Sequence, residues 1–204
     1  MSTGKTSLAG FDSSQKPTDR LLFAVLPEKP AAARIEQLTH ALRLEHDLHG
    51  AAIHAGQLHI TLAILGEYLG LPHDLLAAAA GAASQIEQTA FRVRFDHVQT
   101  FRNKSSVSGN YPIVLCGDEG VIGLETLHQR LAGRLRRFGF KGIPASMTPH
   151  VTLLYEPERV PSHAVAAVEW TVQEFVLLHR HIGQNLPYSI LGRWPLQKVS
   201  WLPQ

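Results

Sequence analysis

The tetrapeptide His-x-Thr-Leu occurs twice, as HITL at 59–62 and as HVTL at 150–153, 91 residues apart. Each copy sits in a stretch of strand-like alternation, QLHITLAILGEY and TPHVTLLYEP, and each follows a segment with helical spacing. A repeat placed alike in two helix-then-strand units constrains the fold more than any other feature, because it implies two similarly built halves. Strand side chains alternate between faces. His59, Thr61, Ala63 and Leu65 are therefore expected on one face, and Ile60, Leu62 and Ile64 on the core face. In the second copy His150, Thr152 and Leu154 share a face, and simple alternation puts Tyr155 with Val151 and Leu153 on the opposite one. Each strand thus carries two hydrogen-bonding groups roughly 6–7 Å apart on one side, twice the rise per residue.

The remaining periodicities fill in the two halves. Residues 1–19 are rich in Ser, Thr, Gly and Lys and read as a flexible tail. The GKTS within it lacks the upstream glycine that a phosphate-binding loop requires. LLFAVL is expected to form a strand, and Pro27 and Pro30 mark its exit into a helix over about 31–46 with Ile35, Leu38, Leu42 and Leu44 inward. A second, alanine-rich helix is expected over about 74–88. FRVRFDHVQTF sets Phe91, Val93 and Phe95 against Arg92, Arg94 and Asp96, the pattern of a half-exposed strand, and YPIVLC is an apolar one. A third helix over about 123–138 turns Leu124, Leu127, Leu131 and Leu135 inward, and Arg130, Arg134, Arg136 and Arg137 form a solvated basic face. Two closing strands are expected, WTVQEFVLLHRHIG and LPYSILGRWPL.

Composition narrows the setting. The chain of 204 residues carries a formal charge of +2, which permits an anionic partner without demanding one. No apolar run approaches the roughly 18 residues needed to span a bilayer, and the N-terminus lacks a signal peptide's apolar segment. With one cysteine, Cys116, packed as a small hydrophobe, the expected location is cytoplasmic. Twelve histidines raise the question of a metal. His40, His46, His49 and His54 follow no recognised ligand spacing, however, and they read as solvated; no metal and no cofactor are expected.

If the two halves pack with their motif strands adjacent, two imidazoles face each other across a cleft flanked by two threonine hydroxyls. In-line displacement at a phosphodiester needs such a set. One neutral imidazole takes a proton from the attacking water while the other, protonated, gives one to the departing alkoxide, and a pKa near 6.5 keeps both forms accessible. Threonine hydroxyls can donate to the nonbridging oxygens, where charge concentrates in the transition state. The symmetry does not say which histidine is the acid.

His59-Ile60-Thr61-Leu62 and His150-Val151-Thr152-Leu153 resemble the paired motifs of the two-histidine (2H) phosphoesterase superfamily. The surrounding RLLFAVLP, FRVRFDHVQTF and YSILGRWPL are similar to its RNA 2′,3′-cyclic phosphodiesterase branch, historically called 2′-5′ RNA ligases. The resemblance implies an α+β fold over 20–204, a single bilobal domain of two pseudo-symmetric lobes. Each lobe has an antiparallel sheet and packed helices, and a groove lies between them. It also implies hydrolysis of a terminal 2′,3′-cyclic phosphate on RNA or an oligoribonucleotide to a 2′-phosphate; the His/His scheme itself requires no metal, and a monomer is expected. His59 would be the proton donor, His150 the acceptor, and Thr61 and Thr152 the phosphate ligands. Ligation or hydrolysis of 2′-5′ linkages, or action on a small cyclic nucleotide, would use the same motifs. An RNA-binding module without turnover would not need two proton-transfer groups.

The chain departs from the family pattern at two places. Tyr155 stands where many members have arginine, and Arg180 where relatives often have serine. Candidate substrate contacts are Phe101, Arg102 and Tyr155, by stacking or by meeting phosphate. His179 and His181 share a strand face and are expected to be structural or solvated.

Overall fold

In the computed structural model, which describes residues 16–105, 109–184 and 186–198, the apolar run after Asp19 forms β1 (Asp19–Val25). Its alternation is two-sided: Leu21, Phe23 and Val25 join the main core, while Leu22 and Ala24 join a small separate cluster with Val176 and Leu178. The prolines do mark the exit, and α1 (Lys29–Glu45) follows, with Ile35 and Leu42 buried. Leu44, expected to face inward, is instead 73% exposed. Leu38 and Leu42 already fill the stripe four residues apart, and Leu44 falls two residues off it.

The other elements are β2 (Ile60–Tyr68), α2 (His73–Ala83), β3 (Phe91–Thr100), β4 (Tyr111–Cys116), α3 (Ile122–Arg137), β5 (His150–Glu156), β6 (His163–Val172), β7 (Glu174–His181) and β8 (Ser189–Pro195). They build two four-stranded antiparallel sheets in the orders β2-β1-β7-β8 and β5-β4-β3-β6. The class is α+β, and the two orders match as a pseudo-repeat. The motif strands β2 and β5 are both edge strands, and each pairs with the strand that precedes it across a helix. Leu124, Leu127, Leu131 and Leu135 of α3 are fully buried, as their spacing requires.

Three boundaries differ from the sequence pattern. Residues 1–15 of the expected tail lie outside the described residues, and its last two, Thr18 and Asp19, are anchored. Thr18 N–H donates to the Tyr68 carbonyl, Ile182 N–H donates to the Thr18 carbonyl, and Asp19 is buried in β1. The alanine-rich helix ends at Ala83 rather than near 88, because the chain turns at Ser84 to bring Gln88 against Gln197. WTVQEFVLLHRHIG is not one strand: it breaks at Gln173, β6 belongs to the second sheet and β7 to the first. Continuous β-like alternation carries no record of a change of partner sheet. No helix among the described residues is long and apolar enough to cross a membrane.

Candidate active site

The decisive local feature of both motif strands is a β-bulge. On β2, Thr61 is opposite Ala24 and Ala63 is opposite Phe23, so Leu62 is the extra residue. On β5, Thr152 is opposite Val114 and Leu154 is opposite Ile113, so Leu153 is the extra residue. The fourth position of each HxTL is therefore the bulge, and one unpaired residue reverses the alternation beyond it. Each bulged carbonyl receives a donor from the other half of the chain. His128 of α3 donates from Nδ1 to the Leu62 carbonyl at 2.7 Å, and Ile53 N–H donates to the Leu153 carbonyl at 2.8 Å.

The bulges correct two expectations of simple alternation. Ile64, expected in the core, is 52% exposed, whereas Ala63 and Leu65 are buried. Tyr155, expected to face away from His150, returns to the same side, where its side chain hydrogen-bonds to Thr152. Ile64 and Tyr155 occupy equivalent positions, five residues after each histidine.

The two histidines are held alike. His59 donates from Nδ1 to the Gln57 carbonyl at 2.8 Å, and His150 donates from Nδ1 to the Thr148 carbonyl at 2.7 Å. A carbonyl can only accept, so Nδ1 carries the proton and Nε2 is the nitrogen left for chemistry in each ring. Each ring is also braced edge-on by an aromatic ring, Tyr188 at 5.0 Å from His59 and Phe101 at 4.7 Å from His150. Burial holds both imidazoles below the ordinary value of 6.5, against the opposing pull of the carbonyl bonds; His150 and Arg180 lower His59 further. The motif strands β2 and β5 are in contact, and this brings the two rings into one neighbourhood.

Strand register assigns the rest of the groove. Arg20 and Arg180 are cross-strand partners on the face of Leu22 and Leu178, opposite to the face of His179 and His181. Arg20 is paired with Glu67, whereas no ion pair among the described residues involves Arg180. Arg180 lies over the Tyr188 ring at 5.8 Å, and its charge acts on both His59 and Tyr155. Burial first, and then Tyr188, push the Tyr155 hydroxyl above its usual range, so it stays protonated. Cys116 is the cross-strand partner of His150, and its thiol is raised by burial, which keeps it from being a nucleophile.

The structure thus brings His150 against Phe101, Tyr155 against Thr152, and His59 into the neighbourhood of His150, with Thr61 on β2 two residues beyond His59. Arg102 is exposed in the turn after β3, where its carbonyl accepts from Arg159. Tyr188 was missed by sequence reasoning: it lies in an irregular link before β8, and no periodicity marks it.

A family model described as the 2′-5′ RNA ligase superfamily matches residues 27–184. Among solved structures, E. coli LigT in its apo form is 26% identical, covering 89% of this chain and 99% of its own with a TM-score of 0.66. LigT complexed with 3′-AMP is 27% identical, with 89% and 99% covered and a TM-score of 0.67. The Thermus thermophilus protein TT0787 is 21% identical, with 89% and 100% covered and a TM-score of 0.69, a likeness of fold. No curated protein matches.

Proposed function

This chain belongs to the 2′-5′ RNA ligase superfamily, the two-histidine phosphoesterases, and from that premise we propose that it hydrolyses terminal 2′,3′-cyclic phosphates of RNA or oligoribonucleotides to 2′-phosphates. The observation that carries the reading is the matched pair of imidazoles, each with Nδ1 committed to a carbonyl and Nε2 left for proton transfer. His150 Nε2 takes a proton from water as its oxygen bonds to phosphorus. His59 Nε2–H gives its proton to O3′ as the P–O3′ bond breaks, and the 2′-ester remains. Thr61 and Thr152 donate to the nonbridging oxygens. Phe101 and Tyr188 orient the rings, and Tyr155 contributes a neutral hydroxyl. That LigT has been crystallised with 3′-AMP and with phosphate supports a ribonucleotide phosphate as the ligand of this groove.

In excess EDTA the purified protein is expected to open a 2′,3′-cyclic phosphate end to the 2′-phosphate alone, as resolved by chromatography against 2′- and 3′-phosphate standards. Formation of a 3′-phosphate, or turnover only of 2′-5′-linked oligonucleotides, would overturn the assignment.

Arg180, which enters no ion pair among the described residues, is proposed to hold the phosphodiester charge. A hydrogen bond to a charged group contributes about 1.5–3 kcal/mol, so Arg180→Ala is expected to raise KM about 10- to 100-fold. The same substitution removes a positive neighbour of His59, so the His59 imidazole should titrate higher in the free protein, as followed by NMR. An unchanged KM together with an unmoved His59 would remove Arg180 from the groove's chemistry.

A further inference from the structure

On the face of the first sheet turned away from the groove, β7 presents His179 and His181 side by side, and Asp19 of β1 is the direct cross-strand partner of His181. Asp19 Oδ1 lies 2.6 Å from His179 Nε2 and 3.3 Å from His181 Nδ1. All three atoms lie within 4.8 Å of one another. We propose that these residues form a binding site for a divalent transition-metal ion of the zinc type, ligated by His179 Nε2, His181 Nδ1 and Asp19 Oδ1.

The donor set and its support favour an ion over a simple hydrogen-bonded cluster. Two imidazole nitrogens, from rings whose centroids are 4.4 Å apart, converge on a single carboxylate oxygen. Joining them by hydrogen bonds alone requires an N–H on both nitrogens directed at one atom. An ion takes the lone pairs of two neutral rings and balances the carboxylate. The other oxygen of Asp19, Oδ2, is already fixed by the Thr18 hydroxyl at 2.5 Å and by Gly70 N–H at 3.0 Å. This is the outer-shell bonding that orients a ligating carboxylate.

Two nitrogens and one oxygen suit zinc, cobalt or nickel, whereas calcium and magnesium take oxygen sets. With bonds of about 2.0–2.1 Å, tetrahedral ligands sit about 3.3–3.4 Å apart. The His181 to Asp19 separation of 3.3 Å already meets that spacing, and the 2.6 Å between His179 and Asp19 has to open by about 0.7 Å. Asp19 and His179 are buried, while the His181 side chain is 41% exposed, which leaves the site open to solvent on one side for access and for a water ligand. All three ligands stand on paired strands, so the geometry is held by the sheet.

The ion would clip the start of β1 to the end of β7. It would touch nothing in the groove, because Arg180, between the two histidines, points to the opposite face.

Full-length protein stripped with EDTA and desalted tests the site by titration with Co²⁺. Expected are a saturable visible absorption at one ion per chain, its displacement by Zn²⁺, and a rise in Tm on adding Zn²⁺ that excess EDTA reverses. His181→Ala, at a half-exposed position, and Asp19→Asn should each weaken Co²⁺ binding by at least about 100-fold, since even outer-shell partners contribute 10- to 100-fold. A His40→Ala control, at an exposed helix position, should leave it unchanged. Absence of stoichiometric Co²⁺ absorption overturns the proposal, as does a spectrum unaltered in His181→Ala. Because the readouts are spectral and thermal, they are independent of what the groove hydrolyses.

Discussion

Replacing either His59 or His150 by alanine is expected to lower turnover of a 2′,3′-cyclic phosphate by about 10²–10⁴-fold, the usual contribution of one positioned proton-transfer group. The double variant should be little worse than either single one, because an acid without its base, or a base without its acid, leaves the same incomplete displacement. Folding should survive. Each ring gives up one hydrogen bond to a carbonyl, at a cost of about 1 kcal/mol, and neither belongs to the main core. Single-turnover rates together with thermal melts check this. Near-normal rates in both single variants would show that the groove does its chemistry with other groups. A melting collapse in His150→Ala would be separated from lost chemistry by His150→Asn, whose amide nitrogen takes the place of Nδ1 as donor to the Thr148 carbonyl.

The pH dependence should be equally pronounced and should lie on the acid side. Burial disfavours the imidazolium, so both histidines titrate below 6.5 in the free protein. Catalysis needs a single ionising proton shared by the pair. Below both transitions there is no base, above both there is no acid, and the single-proton state peaks between them. The profile of kcat/KM is therefore expected to be a bell with its maximum below pH 6.5, and the rate should fall about tenfold per unit on the outer part of each limb. A bound phosphodiester anion favours the imidazolium, so the alkaline limb of kcat alone should lie at higher pH than that of kcat/KM. A bell centred above pH 7 in kcat/KM would mean that the rings are better solvated, or better paired with anions, than this groove allows.

Much of the molecule was legible because short-range periodicity carries it. The heptad-like leucines of α3, the alternation of β3 over residues 91–96 and the apolar run of β4 follow from which face must leave water, and the structure keeps all three. Other features depended on distant partners. The change of sheet at Gln173 left no mark in the alternation, since a strand has the same pattern whichever sheet it joins. Arg180 and His179 are neighbours in sequence, yet they serve opposite faces, one toward the groove and one toward Asp19, 160 residues away.

The repeat of HxTL by itself pointed to two matching halves, and it offered two imidazoles and two hydroxyls as candidates for one site. Only the tertiary structure decided which side chains accompany them. The fourth residue of each motif bulges, and its carbonyl is taken up by His128 in one strand and by Ile53 in the other, groups 66 and 100 positions removed in the chain. That single unpaired residue inverts the faces beyond it, moving Ile64 out of the core and Tyr155 into the groove. Alternation is a local rule, and a bulge stabilised from afar is where a local rule stops being sufficient.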